Sequence, residues 1–256
     1  MRRVRFLPRP NLHRPGLDVL TLLCLGLVGV HLAIELAGGV DEMGSRGLYD
    51  RVGLSMPGML KGWIWQLGTY GVFHGTWFHL LINVMIIYMI GGRVVHILGS
   101  RAFLRIFVGG LLAGGVVHLV LYPKYPLGEG LTTAYIPLVG ASGGVMALFL
   151  ALCGLSPDSR MWPLMISGKN LGRGLMLSAL ILMLMTPGLK VPFLGALGSQ
   201  LVEGGGAALL FQVSHACHFG GGLVGLFFAA RLLRAPVSLE DLRRARERRE
   251  GAGAEI

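Results

Sequence analysis

Residues 138–153 of the chain read LVGASGGVMALFLALC and place one hydroxyl, Ser142, among small residues at the start of an apolar run. Pro137 stands directly before this stretch, so a helix cannot run into it from the preceding residues. The stretch therefore predicts a short apolar helix that begins near Ser142. This serine is either a nucleophile or a small residue that lets two membrane helices approach each other.

The composition indicates a membrane protein. Hydrophobic residues make up 53% of the 256 residues, charged residues only 14%, and the mean hydropathy is +0.65, which is far from the balance of a soluble domain. The net charge of +10 comes largely from basic residues at both ends and in alternate loops. This distribution is typical of membrane topology, so we predict no nucleic-acid partner.

Apolar runs predict an all-α polytopic protein with six transmembrane helices. The runs lie near residues 17–37, 74–96, 101–122, 140–156, 171–188 and 214–234, and about 20 residues suffice for each span. The organisation is then a basic N-terminal segment (1–16), a membrane domain (17–234) and a basic tail (235–256). A cleaved signal peptide is the alternative for the first run, but its basic region would be long and five more runs follow.

Loop charge predicts the orientation of the bundle. Basic residues cluster where the second run meets the third and where the fourth meets the fifth, on the same side as both basic termini: Arg93, Arg101, Arg105, Arg160, Lys169 and Arg173. The positive-inside rule places this side in the cytoplasm. Ser142, the aromatic segment 38–72 and the glycine-rich segment 189–213 then lie outside. We expect segment 38–72 to be associated with the membrane without spanning it, and segment 189–213 is a candidate gate.

Polar side chains inside spans are costly, so each one suggests a function. Between Tyr49 and Leu239 every acidic residue falls in a loop, which argues against a buried Ser/His/Asp triad. His79 and Asn83 are four residues apart, so on a helix they share a face and can donate hydrogen bonds to one small group. The alternative is that both only link neighbouring helices.

The stretch SHACHFGGGLVG at 214–225 places His218, Gly221 and Gly225 on one helix face. Glycines at this spacing allow close approach to another helix. If that helix is the one that begins at Ser142, the Ser142 hydroxyl and the His218 imidazole come within hydrogen-bond reach.

Metal binding is the competing use of these histidines. His215 and His218 are three residues apart, but a catalytic zinc usually needs a third protein ligand, and no acidic residue lies near them in the apolar runs. The three cysteines, Cys24, Cys153 and Cys217, are scattered in apolar sequence and indicate no disulfide framework. We predict no metal and no other cofactor.

Taken together, four motifs resemble the rhomboid family of intramembrane serine proteases. They are GWIWQLGTYGVFHGTWFHLLIN at 62–83, GG followed by LGS within 91–100, GASGG at 140–144 and HFGGGLVG at 218–225. Each motif alone is weak in a chain with 41 glycines, but their order and spacing agree across residues 60–230. The resemblance implies a six-helix bundle of the bacterial type in the inner membrane, with transmembrane proteins as substrates.

The resemblance also implies residue roles. Ser142 would be the nucleophile and His218 the general base, with His79 and Asn83 joining the Ser142 backbone N–H as oxyanion donors. The supporting glycines would be Gly140, Gly143, Gly221 and Gly225. The sequence departs from the family pattern where Gln66 follows Trp65 in place of arginine, at Val95 and His96 in place of an acidic residue, and at Met146 in place of an aromatic residue.

Two other functions compete with proteolysis. A rhomboid-like protein without activity would bind or escort transmembrane helices, but such relatives usually lose the serine or the histidine, and both are present here. A small transporter would show inverted repeats, and the GASGG and HFGG segments do not recur. The oligomeric state is not predicted.

Overall fold

The structure is a computed structural model that describes residues 17–121, 137–161, 164–189, 191–204, 210–211 and 213–233. The basic segment 1–16 and the tail 235–256 lie outside these residues. The domain boundaries predicted at the two ends therefore stay expectations.

The described residues form an all-α bundle. The helices are α1 (Val19–Leu36), α2 (Gly39–Ser45), α3 (Leu48–Val52), α4 (Met56–Leu60), α5 (Gln66–Thr69), α6 (Trp77–Ile86), α7 (Gly92–Leu98), α8 (Ser100–Leu121), α9 (Ser142–Leu155), α10 (Gly168–Met185), α11 (Leu194–Glu203) and α12 (His215–Leu233). A π-helical turn, Ile87–Gly91, joins α6 to α7 in one long helix. Two short antiparallel strands, β1 (Arg160–Met161) and β2 (Ile166–Ser167), precede α10, and a 3-10 turn, Pro187–Leu189, follows it.

Each of the six predicted apolar runs corresponds to a helix. Within the described residues, four helices are long and apolar enough to cross a membrane by themselves: α1, α6 with α7, α8 and α12. Helix α9 has only 14 residues, and α10 carries Lys169 and Arg173 near its start. The chain is thus an integral membrane protein, while the count of six spans stays a prediction.

Glycines bring three helices into close contact at the centre of the bundle. A Cβ on Gly221 would lie 2.8 Å from the Gly143 carbonyl carbon, and a Cβ on Gly225 would lie 2.9 Å from the Ala151 nitrogen. Helix α12 therefore packs against α9, as its glycine spacing suggested, and the two run in the same direction. Gly110 of α8 meets the same residue of α9, because a Cβ on Gly110 would lie 2.8 Å from the Gly143 carbonyl oxygen.

The segment 38–72 contains only short helices, α2 to α5, the longest of which has seven residues. None of them is long enough to span a bilayer, in agreement with the expectation for this segment. Segment 189–213 differs from expectation because it contains helix α11, where the sequence suggested only a glycine-rich loop. Gly198 packs against the Met185 backbone at the end of α10, and this tertiary contact outweighs the low helix propensity of glycine.

Candidate functional site

Ser142 is the first residue of α9 and is partly exposed. Two residues earlier, Gly140 has φ +119°, a conformation that side-chain-bearing residues rarely adopt. A Cβ at Gly140 would lie 2.7 Å from Nε2 of His79, so this glycine also makes room for the imidazole. The first intrahelical hydrogen bond is Val145 N–H to Ala141 O at 3.1 Å. The Ser142 N–H precedes this bond and therefore has no acceptor within the helix.

Segment 38–72 fixes the backbone that leads into Ser142. Leu54 and Leu138 exchange two hydrogen bonds, each 2.9 Å long, and Gly140 N–H donates to Tyr70 O at 2.8 Å. Tyr70 is fully buried. Because these bonds join segments far apart in sequence, the position of the serine depends on the fold of residues 38–72.

His74 adds a further contact that the sequence analysis did not assign to the site. Ala141 N–H donates to Nε2 of the fully buried His74 at 3.4 Å, and Nδ1 lies 3.3 Å from Val72 O. Both bonds are satisfied by the neutral tautomer that carries its hydrogen on Nδ1. Tyr49 donates to the His74 carbonyl at 3.0 Å, and burial, reinforced by the nearby Glu35 carboxylate, raises the pKa of Tyr49, so its hydroxyl remains a donor at neutral pH.

His79 lies at the site, while Asn83 lies one helical turn further along α6. Thr76 caps this helix by accepting the His79 N–H at 3.1 Å, and the His79 ring packs edge to face on His74 at 5.0 Å. Asn83 is buried and donates one amide N–H to His79 O at 2.8 Å. The structure therefore brings the His79 imidazole to Gly140 and turns one Asn83 donor toward its own helix.

His218 lies one turn before Gly221, the residue that contacts Gly143 next to Ser142. Its Nε2 is buried and has no hydrogen-bond partner among the described residues. No hydrogen bond joins Ser142 to His218 within the part of the chain described, so the predicted dyad bond stays a prediction.

His215 packs edge to face against the His218 ring, with centroids 6.0 Å apart. Its Nε2 lies 2.7 Å from Leu210 O and donates a hydrogen bond to this carbonyl. Across the described ranges, no three His, Cys, Asp or Glu side chains gather as a metal-binding group. His215 is therefore placed as a packing and hydrogen-bonding group.

Gln66, one of the departures from the family pattern, is fully buried in segment 38–72. Its Nε2 donates to Asp50 O at 2.8 Å and its Oε1 accepts the Ser55 N–H at 3.1 Å. Trp65 donates from Nε1 to Arg51 O at 2.9 Å. The Gln66 Nε2 also lies 3.4 Å from Arg51 O, so Gln66 holds this segment through hydrogen bonds to three backbone groups. Of the other departures, Val95 and Met146 are partly buried and His96 is exposed.

Comparison with known proteins identifies the family. The Rhomboid domain matches residues 61–235, which is more than half of the chain and includes every site residue named above from Gln66 to His218. The chain belongs to the rhomboid family.

Curated relatives carry the same family designation in their names. The human protein named presenilin-associated rhomboid-like protein, mitochondrial, is 28% identical over 155 residues, covering 60% of this chain and 34% of its own length. The mouse protein of that name is 27% identical over the same length, and the zebrafish protein named presenilin-associated rhomboid-like protein A, mitochondrial, is 24% identical. The chain thus spans about a third of these relatives.

Proposed function

We propose that the protein is an intramembrane serine protease that hydrolyses peptide bonds in or near the transmembrane segments of other membrane proteins. Ser142 is the nucleophile and His218 the general base. The observation that carries the proposal is the glycine contact between α12 and α9, which brings the His218 turn against the start of α9. The buried, unpartnered Nε2 of His218 supports the assignment, because a buried polar atom without a partner is costly and suggests a functional role.

The chemistry is acyl transfer. His218 accepts the Ser142 proton as the serine oxygen attacks the substrate carbonyl, and then delivers that proton to the leaving amine. The resulting acyl enzyme is hydrolysed by water, with His218 again acting as base. No acidic side chain is required in this dyad, which agrees with the absence of Asp and Glu from the spans around it in the sequence.

Negative charge develops on the substrate oxygen, and donors at the start of α9 stabilise it. The Ser142 N–H has no acceptor within the helix, and the N-terminus of a helix attracts negative charge. The His79 imidazole against Gly140 supplies a second donor. Asn83 is the third predicted donor, through the amide N–H that it does not donate to His79 O.

Access of water constrains the kind of substrate. The serine is partly exposed at the end of a short helix, and non-helical backbone at membrane depth is stable only where it is covered by protein or lines a water-filled cavity. The serine thus lies where water can reach it. A substrate helix must unwind locally to present a peptide bond to this serine, which favours glycine, proline or small residues near the cleaved bond.

The proposed location follows from loop charge. By the positive-inside rule, the basic loops and termini favour cytoplasmic ends, with Ser142 toward the opposite face of the membrane. The bacterial inner membrane is proposed from the resemblance to six-helix bundles of the bacterial type. The names of the curated relatives assign those proteins to mitochondria, so the membrane in which this chain acts is part of the proposal.

The decisive experiment is cleavage of a single-span model substrate by the purified chain in detergent, with Ser142→Ala and His218→Ala as variants. We expect cleavage by the wild type and no detectable product from either variant. A fluorophosphonate probe that reacts with activated serines should label the wild type and not Ser142→Ala. A wild type that neither cuts nor reacts with the probe would instead favour a protein that binds or escorts transmembrane helices.

A further inference from the structure

A cavity of about 280 Å³ lies at the opposite end of the bundle from Ser142. It is formed by the end of α9, the start of α10 and the second half of α12, and the lining residues used below are Cys153, Lys169, Gly172, Arg173, Met176 and Leu226. Because α9 and α12 run in the same direction and α10 runs against them, this end is also the one that carries the basic loop before α10.

The inner wall of the cavity is apolar. Cys153, Met176 and Leu226 supply hydrocarbon and sulfur surface, and Gly172 has no side chain to fill the space. A Cβ at Gly172 would lie 3.1 Å from the Cys153 Cβ, so α9 and α10 approach each other closely along this wall. Such a wall favours a hydrocarbon chain over a hydrated ion.

The mouth of the cavity is cationic. Lys169 and Arg173 are four residues apart near the N-terminus of α10, so they lie on one helix face. Arg173 is exposed and has no ion-pair partner among the described residues. Lys169 pairs with Asp158 at 3.3 Å, but the two side chains are 51% and 84% exposed, and an exposed pair contributes little. The helix N-terminus adds positive potential at the same place.

We propose that this cavity binds an anionic phospholipid, with the phosphate between Lys169 and Arg173 and the start of an acyl chain against the apolar wall. The ligand must combine a negative head with a hydrocarbon tail, because the two parts of the cavity favour opposite chemistries. A transmembrane helix, about 10 Å or more across, is too wide for this volume. Basic pockets between helices on the positively charged side of a membrane protein suit such head groups.

The test uses the full chain, stripped of lipid in detergent and titrated with phosphatidylglycerol or phosphatidylcholine of the same acyl chains, with binding counted by native mass spectrometry. We expect one phosphatidylglycerol to bind to the wild type. The variant Lys169→Gln with Arg173→Gln should bind it about thirtyfold more weakly, since each of the two cations near the lipid head group contributes about 1 kcal/mol.

Arg160→Gln is the matched control, because Arg160 lies in the same basic loop but does not line the cavity, and it should bind as the wild type does. Arg173→Lys keeps the charge and should retain binding, which separates loss of charge from loss of fold. Equal binding of phosphatidylcholine, unchanged binding by the double variant, or equal weakening by Arg160→Gln would each overturn the proposal. Displacement of the lipid by millimolar inorganic phosphate would also overturn it, in favour of a free-phosphate site.

Discussion

The two ends of helix α9 differ in how they are held. At the Ser142 end, backbone hydrogen bonds from Leu54 and Tyr70 fix the incoming chain, and glycine contacts with α12 leave little free space. At the Leu155 end, the neighbouring helices leave a cavity, and the Lys169 and Asp158 ion pair is exposed. The end proposed for catalysis is preorganised, while the other end is open, so substitutions at the two ends should differ greatly in effect.

His79→Ala should have the largest effect of the substitutions compared here. Removal of one oxyanion donor lowers the rate on the order of a hundredfold, measured as kcat on the model substrate. His96→Ala is the matched control, since His96 is exposed at the far end of the same long helix, and it should cut at nearly the wild-type rate. Equal loss in both variants would remove His79 from the proposed site.

Gly221→Ala should destabilise the protein by about 3 kcal/mol, because the added methyl would overlap the Gly143 backbone and overpacking of this kind costs up to roughly that amount. The measurement is unfolding in detergent titrated with sodium dodecyl sulfate. Gly174→Ala is the control on α10, where an added Cβ meets nothing within 4 Å. It should be neutral or slightly stabilising; a loss equal to that of Gly221→Ala would contradict the close-contact explanation.

Gln66→Ala should cost about 2 kcal/mol of unfolding free energy, since it leaves the Asp50 carbonyl and the Ser55 N–H without their partner. The same unfolding assay checks this value. Arg46→Ala breaks the exposed ion pair with Glu42, also in segment 38–72. It should change the free energy of unfolding by less than about 0.5 kcal/mol. If Gln66→Ala and Arg46→Ala had the same free energy of unfolding, the hydrogen bonds of Gln66 would not stabilise segment 38–72.

Lys169→Ala should have the smallest effect on folding. It removes a half-exposed ion pair at the open end of α9, so the unfolding free energy should change by less than about 0.5 kcal/mol, and cleavage should continue at the wild-type rate. A loss of stability comparable to that of Gly221→Ala would show that the two ends of α9 are equally constrained.

The sequence predicts the apolar helices well because length and hydropathy decide which segments enter a membrane. It also predicts a contact face at Gly221 and Gly225 on the helix that carries His218, but glycine spacing alone leaves the partner helix open. The structure shows that this partner is the helix that begins at Ser142. The contact of His74 with Ala141 could not be foreseen, because it depends on how segment 38–72, which lies just before His74, folds back. Helix α11 was missed for a similar reason, since its contact with α10 forms only in the folded chain.

The hydrogen bonds that lead into Ser142 have a consequence for isotope exchange. The amide hydrogens of Leu138, Gly140 and Ala141 are donated to Leu54, Tyr70 and His74, so deuterium can replace them only when the segment from Leu54 to His74 separates from the chain before α9. Their exchange rates therefore report the opening of this segment at single-residue resolution. A transmembrane substrate that must displace the segment to reach the serine would accelerate exchange at these three positions together.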